Sequence, residues 1–421
     1  MRVILTPVGS HGDVHPFVAL GIGLKARGHS VTLVAAEPFR PLAELHGFDY
    51  AQTMPTDEYE RLTRHPDLWH PKRSMHALFD PEVAAKWLPH GFEMIRERYV
   101  RGETVVAAGA LALAARVANE VLGIPLATVH LAPVGLFSAA NPPVYPALRF
   151  RSWWPKWFRR AVFRAGEKLI VDPLVGKLLH PFRDSHGLPR ARRLFTDWLN
   201  SPLRMLGFFP DWFAHAPDWP ARFRHVGFLR YDQADAHPVP TEVRDFLNAG
   251  EPPVVFSFGS AMRTGRAHFE AAVTVCERLG VRGLLLAKGR DQIPPNLPKS
   301  VLHAEYAPFS EVFPLAKAVV HHGGIGTSAQ ALAAGVPQLV MPMAFDQPDN
   351  GERLRKLGVA RVVPAARFTP SRASAALAEL LNAPTVPAAC ATLRQRLTAT
   401  DPVADACAAI EELRGKDTPA R

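Results

Sequence analysis

Two stretches of this chain carry residue types whose spacing could do chemistry. The first, GSHGDVHPF from Gly9 to Phe17, sets His11, Asp13 and His15 at alternate positions just after the apolar run Val3 to Val8. Alternate ligands converge on a metal only along a straight strand, and Gly9 and Gly12 interrupt one here. Asp13 can instead accept a proton, helped where partial burial raises its pKa. It can also cap a helix that has Pro16 in its first turn, and the two roles can coexist. His11 and His15 read as solvated neighbours.

The second stretch is AVVHHGGIGTSAQALAAGVPQLVMPMAFDQPDN, Ala318 to Asn350. A strand ending at His321 meets a tight turn of Gly323, Gly324 and Gly326. Thr327 or Ser328 is placed to cap the helix that follows, and Gly335 and Pro337 end it. Glycines let backbone N–H groups approach an anion, and the helix N-terminus adds positive charge, so the turn suits a diphosphate. His321 can add a hydrogen bond. The next strand runs out into Asp346 and Gln347, whose side chains suit adjacent sugar hydroxyls. An ordinary strand-turn-helix and a helix cap at Asp346 are the simpler alternatives. The turn is neither a Walker A loop nor a G-x-G-x-x-G fingerprint.

The elements around these stretches specify an α/β fold of two doubly wound, Rossmann-like halves. Strand-like Val3–Val8, a helix over 14–27, a strand at Ser30–Ala36, a helix at Pro38–His46 and a strand at Phe48–Gln52 alternate as a parallel sheet requires. Thr104–Gly109, Ala110–Leu122 and Pro125–His130 repeat the rhythm. Residues 131–200, rich in Pro, Trp and Arg, break it and read as insertions lining a cleft. A second alternation starts at Val254. The expected division is an acceptor-binding domain over 1–230, a polar linker at 231–253 and a nucleotide-sugar-binding domain over 254–421. The last helices of that second domain are free to pack back on the first. Ligands of such sheets lie beyond the carboxyl ends of strands.

At 421 residues the chain exceeds one ordinary core, which supports two domains. Its three cysteines, Cys276, Cys390 and Cys407, have no C-x-x-C spacing, which argues against disulfides and zinc. The apolar start is too short for a signal peptide and no window approaches a membrane span, so a cytoplasmic protein is expected. A net charge of +10 calls for an anionic partner without choosing among nucleic acid, membrane and phosphorylated small molecule. Residues 149–168, RFRSWWPKWFRRAVFRAGEK, hold seven Arg or Lys and three Trp. That mixture fits an interfacial segment among anionic lipids, a single-stranded nucleic acid, or a solvated helix face.

The motif HHGGIGT…AGVP…DQPDN resembles the donor-binding signature of family 1 glycosyltransferases, which have the two-domain GT-B fold. The resemblance runs from Gly9 through FSFGS (256–260) to that signature. It is similar to enzymes acting on sterols, glycopeptides and lipids. The lipid rhamnosyltransferases are matched further in LWHPK (68–72), FTDWLNSP (195–202) and FFPDWF (208–213). The resemblance implies that His321 and the turn Gly323, Gly324, Gly326 and Thr327 hold the donor diphosphate, with Ser260 as a second contact. It further implies that Asp346 and Gln347 hold the sugar, and that Tyr306 and Ala307 meet the nucleotide base. Tyr306 stands where relatives carry Trp, and a core aromatic is the alternative there; for Ser260 it is a plain Gly-Ser turn. Asp13 takes the place of the family's usual catalytic His.

The implied enzyme is an inverting hexosyltransferase without metal or other cofactor. Its donor is a nucleotide sugar of the UDP-glucose or dTDP-rhamnose type, and its acceptor a hydroxyl on a lipid or other hydrophobic molecule. Residues 149–168 would touch the membrane peripherally, and nucleic acid is not expected as a partner. The alternatives are a sugar-nucleotide 2-epimerase, and a noncatalytic or nucleic-acid-binding protein using the basic surface.

Overall fold

A computed structural model of the chain describes residues 1–70, 73–145, 148, 150–259 and 265–416. Pro71, Lys72, Arg149 and Ser260 of the motifs above therefore lie outside the described residues. The chain forms two compact units. The first comprises Met1–Gly9, Asp13–Leu229 and Asp401–Arg421, and the second Ser10–Gly12 and Arg230–Thr400.

The first unit is built on strands β1 (Arg2–Thr6), β2 (Ser30–Ala35), β3 (Asp49–Gln52), β4 (Thr104–Gly109), β5 (Leu126–His130), β6 (Arg204–Gly207) and β7 (Phe223–His225). They lie in the order β3-β2-β1-β4-β5-β6-β7, and β1 pairs in parallel with both β2 and β4. A parallel sheet is covered on both faces, which is why β1 reads as an unbroken apolar run. Val3, Ile4 and Leu5 are all buried. The order reverses at β1 and β4, so the loop leaving β1 is the topological switch point of this sheet.

Helices Pro81–Arg96, Leu113–Leu122 and Asp172–Asp184 cover one flank. Phe92, Ala115, Val117, Leu178 and Leu179 share one apolar cluster there. The stretch read as insertions contains helices, Lys156–Gly166 and Asp172–Asp184 among them. Three of its prolines are accommodated by these helices, Pro155 and Pro173 at their starts and Pro181 inside the second.

The second unit carries β8 (Val254–Ser257), β9 (Gly283–Leu286), β10 (Val301–Ala304), β11 (Ala318–His321), β12 (Gln338–Val340) and β13 (Ala360–Val362). Their order is β10-β9-β8-β11-β12-β13, with β8 and β11 parallel and His321 opposite Ser257. The reversal lies between β8 and β11. Part of the 231–253 stretch is not a bare linker: Thr241–Asn248 is a helix whose Val243 and Leu247 join the second unit's core beside Leu284 and Leu286.

The C-terminal helix Pro402–Glu411 belongs to the first unit. Gly23 makes room for it, since a Cβ there would lie 2.3 Å from Val403 Cγ1. Gly227, at φ +93°, likewise meets Pro402, whose Cγ would lie 3.0 Å from an added Cβ. Arg27 and His29 bond Glu411 at 2.9 and 2.7 Å, and Arg204 and Arg224 bond Glu412 at 2.8 and 2.9 Å. Cys276, Cys390 and Cys407 are buried free thiols. No helix among the described residues is long and apolar enough to cross a membrane.

Candidate active site

In the second unit, β11 delivers the chain to the Gly323–Gly324 turn at the β8/β11 reversal. Gly323 has φ +92°, and a Cβ on it would lie 2.8 Å from Val340 Cγ1 and 3.1 Å from the Gln347 carbonyl. Only glycine fits. Helix Ile325–Ala334 starts from Gly324 with no side-chain cap. Ser328, expected as a cap, instead donates its hydroxyl back to the Gly324 carbonyl at 2.9 Å, because a hydroxyl inside the first turn reaches the carbonyl four residues earlier. The N–H groups of Ile325, Gly326 and Thr327 are therefore left uncapped, which makes this end a site for negative charge.

His321 does not face that site. It is fully buried. Its Nδ1 accepts the Gly323 N–H at 3.1 Å, and its Nε2 bonds Gln338 Oε1 at 3.0 Å. An amide oxygen only accepts, so Nε2 carries the proton. Burial, with the His322 ring beside it, pushes the imidazole down to about 3 and keeps it neutral. Both nitrogens are spent on the protein, which corrects the expected diphosphate contact to a strut beneath the turn.

The neighbouring His322 has the better position. Its ring lies between the ends of β8 and β11: a Cβ on Gly259 would be 3.2 Å from the ring, and one on Gly324 2.5 Å from its Nε2. Its Nδ1 is buried without a partner among the described residues. Burial lowers its pKa to about 4, against a hydrogen bond to the Ser257 backbone. The doubled His was the signal available in the sequence. Side chains at a strand's end alternate in direction, so the two rings leave on opposite sides.

The chain leaves β12 through Phe345, a non-glycine residue at φ +55°. Asp346 precedes helix Gln347–Lys356 without capping it, and its Oδ2 accepts from Asn350 Nδ2 at 2.6 Å. Asp346 stays partly exposed, while Gln347 is buried. Gln347 Oε1 accepts the N–H groups of Met343 and Ala344 at 2.8 and 3.2 Å. Its amide oxygen thus closes the loop. Sequence reasoning credited both ends to the sugar.

Tyr306 and Ala307 follow β10. Ala307 is buried and Tyr306 is 38% exposed. The Tyr306 hydroxyl donates to the Asp232 carbonyl, and its ring meets that of His237 edge-on at 5.6 Å. It is a surface aromatic pinned by its neighbours, not a core residue. Ser260 lies outside the described residues, just beyond Gly259.

In the first unit, the helix after β1 runs from His11 to Ala26, starting three residues earlier than the pattern predicted. Asp13 is therefore inside the first turn and is not the N-cap, and Pro16 sits within the helix. At helical spacing His11 and His15 share a side and Asp13 points away from both. Gly9 has φ +135°, and a Cβ there would lie 2.2 Å from Asp13 Oδ2, so the glycine makes room for the carboxylate. No group of three or more His, Cys, Asp or Glu that could hold a metal occurs among the described residues.

Two switch-point sheets, a glycine turn with an uncapped helix beyond it and an acidic residue after the first strand define a glycosyltransferase of the GT-B type, and the chain belongs to that family. Residues 3–139 match the glycosyltransferase family 28 N-terminal domain, and residues 284–413 the erythromycin biosynthesis protein CIII-like C-terminal domain. Among relatives, the chain is 34% identical to the O-mycaminosyltylonolide 6-deoxyallosyltransferase of Streptomyces fradiae, over 98% of this chain and 97% of that one. Among solved structures, the glycotransferase of kitacinnamycin superposes with a TM-score of 0.74 at 25% identity, covering 98% and 99% of the two chains. The spinosyn rhamnosyltransferase SpnG complexed with thymidine diphosphate shares the fold, at TM-score 0.67 and 22% identity over 96% and 98%. Membership carries the transferase reading over the epimerase one.

Proposed function

We propose that the protein moves a hexosyl or deoxyhexosyl group from a nucleoside-diphosphate sugar to a hydroxyl of a hydrophobic aglycone, with inversion. The observation that carries the donor side is the uncapped start of helix Ile325–Ala334 at the β8/β11 reversal, with the His322 ring between Gly259 and Gly324. There the N–H groups of Ile325, Gly326 and Thr327 take the diphosphate, with the His322 ring packed beside them. Asp346 and the Gln347 NH2 take the sugar, and Tyr306 and Ala307 the base. A relative named for deoxyallosyl transfer and a fold neighbour holding thymidine diphosphate favour a thymidine donor of the deoxyhexose kind. The names of the same relatives favour an aglycone of the antibiotic type over a lipid.

In the reaction, the acceptor oxygen attacks the anomeric carbon while Asp13 takes its proton. The bond from that carbon to the diphosphate oxygen breaks, and its electron pair leaves with the diphosphate. The uncapped N–H groups stabilise the departing charge. A single displacement places nucleophile and leaving group on opposite faces, so configuration inverts.

Thermal-shift measurements against thymidine and uridine diphosphates and their sugars test the donor site, since a bound ligand raises the melting temperature. A shift with thymidine diphosphate that His322→Ala reduces is expected. No shift with any nucleoside diphosphate would remove the reading.

A separate observation favours a lipid surface on the acceptor side. Trp153, Trp157, Leu169 and Ile170 are 77, 69, 73 and 62% exposed. Helix Lys156–Gly166 buries none of its residues and carries Arg160 and Arg164. Exposed Trp interleaved with Arg suits an anionic headgroup layer. Co-sedimentation with phosphatidylglycerol vesicles, lost on Trp153→Ala/Trp157→Ala, is the expected result.

A further inference from the structure

The diphosphate turn and the sugar-holding loop are joined by one buried chain of hydrogen bonds. It begins at Gln338, whose Oε1 bonds His321 Nε2 at 3.0 Å, and passes through His321 Nδ1 to the Gly323 N–H at 3.1 Å. On the other side of the same residue, the Gly323 carbonyl accepts from Asn350 Nδ2 at 2.9 Å. The same amide group donates to Asp346 Oδ2 at 2.6 Å. Gln338, His321 and Asn350 are all fully buried.

The chemistry of Asn350 is one-directional. A backbone carbonyl and a carboxylate only accept, so both amide protons are committed and the orientation of the side chain is fixed. Its Oδ1 is then left buried with no partner among the described residues. An unsatisfied buried carbonyl lowers stability, and an aliphatic side chain at this position would avoid that cost. What an aliphatic side chain could not do is tie the turn at Gly323 to the carboxylate at Asp346.

We propose that Asn350 is a positioning residue that makes the attached sugar, and not only the diphosphate, count in donor binding. It holds the Asp346 carboxylate at a fixed distance from the turn, so that a donor seated by its phosphates presents its sugar hydroxyls to a preset acceptor. The inference rests on the donor-site reading above. Without Asn350 the turn keeps its His321 strut, while Asp346 loses its hydrogen-bonded link to the turn.

The test compares the full-length wild type with Asn350→Ala and with the near-isosteric Asn350→Asp, folding being checked by circular dichroism. Affinities are measured by titration calorimetry for thymidine or uridine diphosphate, whichever stabilises the wild type more, and for its glucose conjugate. The expected result is that the affinity advantage of the sugar conjugate over the bare diphosphate falls about tenfold or more in both variants, as loss of a hydrogen bond to a charged group predicts. Affinity for the bare diphosphate changes much less. An unchanged advantage overturns the proposal, as does a wild type in which the sugar adds nothing. Failure of both variants to fold also overturns it, since the residue would then be structural alone. A wild type that binds no nucleoside diphosphate overturns the donor reading itself.

Discussion

The Asp13 carboxylate occupies space that exists only because residue 9 has no side chain. Gly9→Ala places a methyl group 2.2 Å from Asp13 Oδ2 and forces a φ of +135° on alanine, so at least about 1 kcal/mol of strain is expected. The readout is a lower melting temperature together with reduced turnover. Asp13→Asn keeps the shape and removes the proposed base, so turnover at saturating donor and acceptor should fall about 10²–10⁴-fold while nucleotide binding holds. Full turnover would exclude Asp13 as the base. At this scale the sequence was legible where a residue type had one use. Gly323, whose turn leaves no room for a Cβ, could be read directly from its spacing. The division of labour between His321 and His322 could not, because it depends on which side of a strand end each ring leaves from. Nor could the loop-closing oxygen of Gln347, whose partners are backbone groups three and four residues away in a turn that only the fold defines.

Among elements, helix Ile325–Ala334 illustrates how function can consist of something left undone. A capped helix would satisfy its own first N–H groups, and this one starts on a glycine and turns Ser328 backward. Gly324→Ala would drive a Cβ to 2.5 Å from the His322 Nε2, displacing the ring. Nucleoside-diphosphate affinity should drop at least tenfold, by calorimetry, with little change in fold. The alternation of strands and helices was legible because central strands such as β1, β4 and β8 are nearly continuous apolar runs. Boundaries were less so. The first helix begins at His11 because a glycine and polar residues can occupy a partly exposed first turn, and their types alone do not forbid a loop. Thr241–Asn248 was hidden within a Pro-rich stretch because its two core residues, Val243 and Leu247, are too few to make a periodic signal.

For the molecule as a whole, acid should destabilise the fold through its buried imidazoles. Burial pushes His130 down to about 4 and His321 to about 3. Both stay neutral in the folded chain, while in the unfolded chain they take up protons below about pH 6.5. The stability they confer is complete above about pH 6.5 and is lost as the pH falls towards the folded values, by up to about 1.4 kcal/mol per pH unit for each. The melting temperature should be level between pH 7 and 8 and fall between 6.5 and 5; a level curve across both ranges would contradict this. Deleting residues 401–421 removes the buried side chains of Ile410 and Leu413, worth about 1.5–3 kcal/mol each, and exposes the first unit's flank. A melting temperature lower by several degrees is expected.

The place where that last helix joins has a further consequence. Gly227 and Pro402 touch, so the chain leaves the first unit and re-enters it at neighbouring points. Apart from Ser10–Gly12, the second unit is one continuous segment, residues 230–400, inserted as a cassette in a host whose flanking ends are already side by side. A short graft from Leu229 to Asp401 should close the host without the cassette, and a cassette from another member should enter through the same two cuts. Under the proposed function, such chimaeras would exchange the sugar delivered and keep the acceptor.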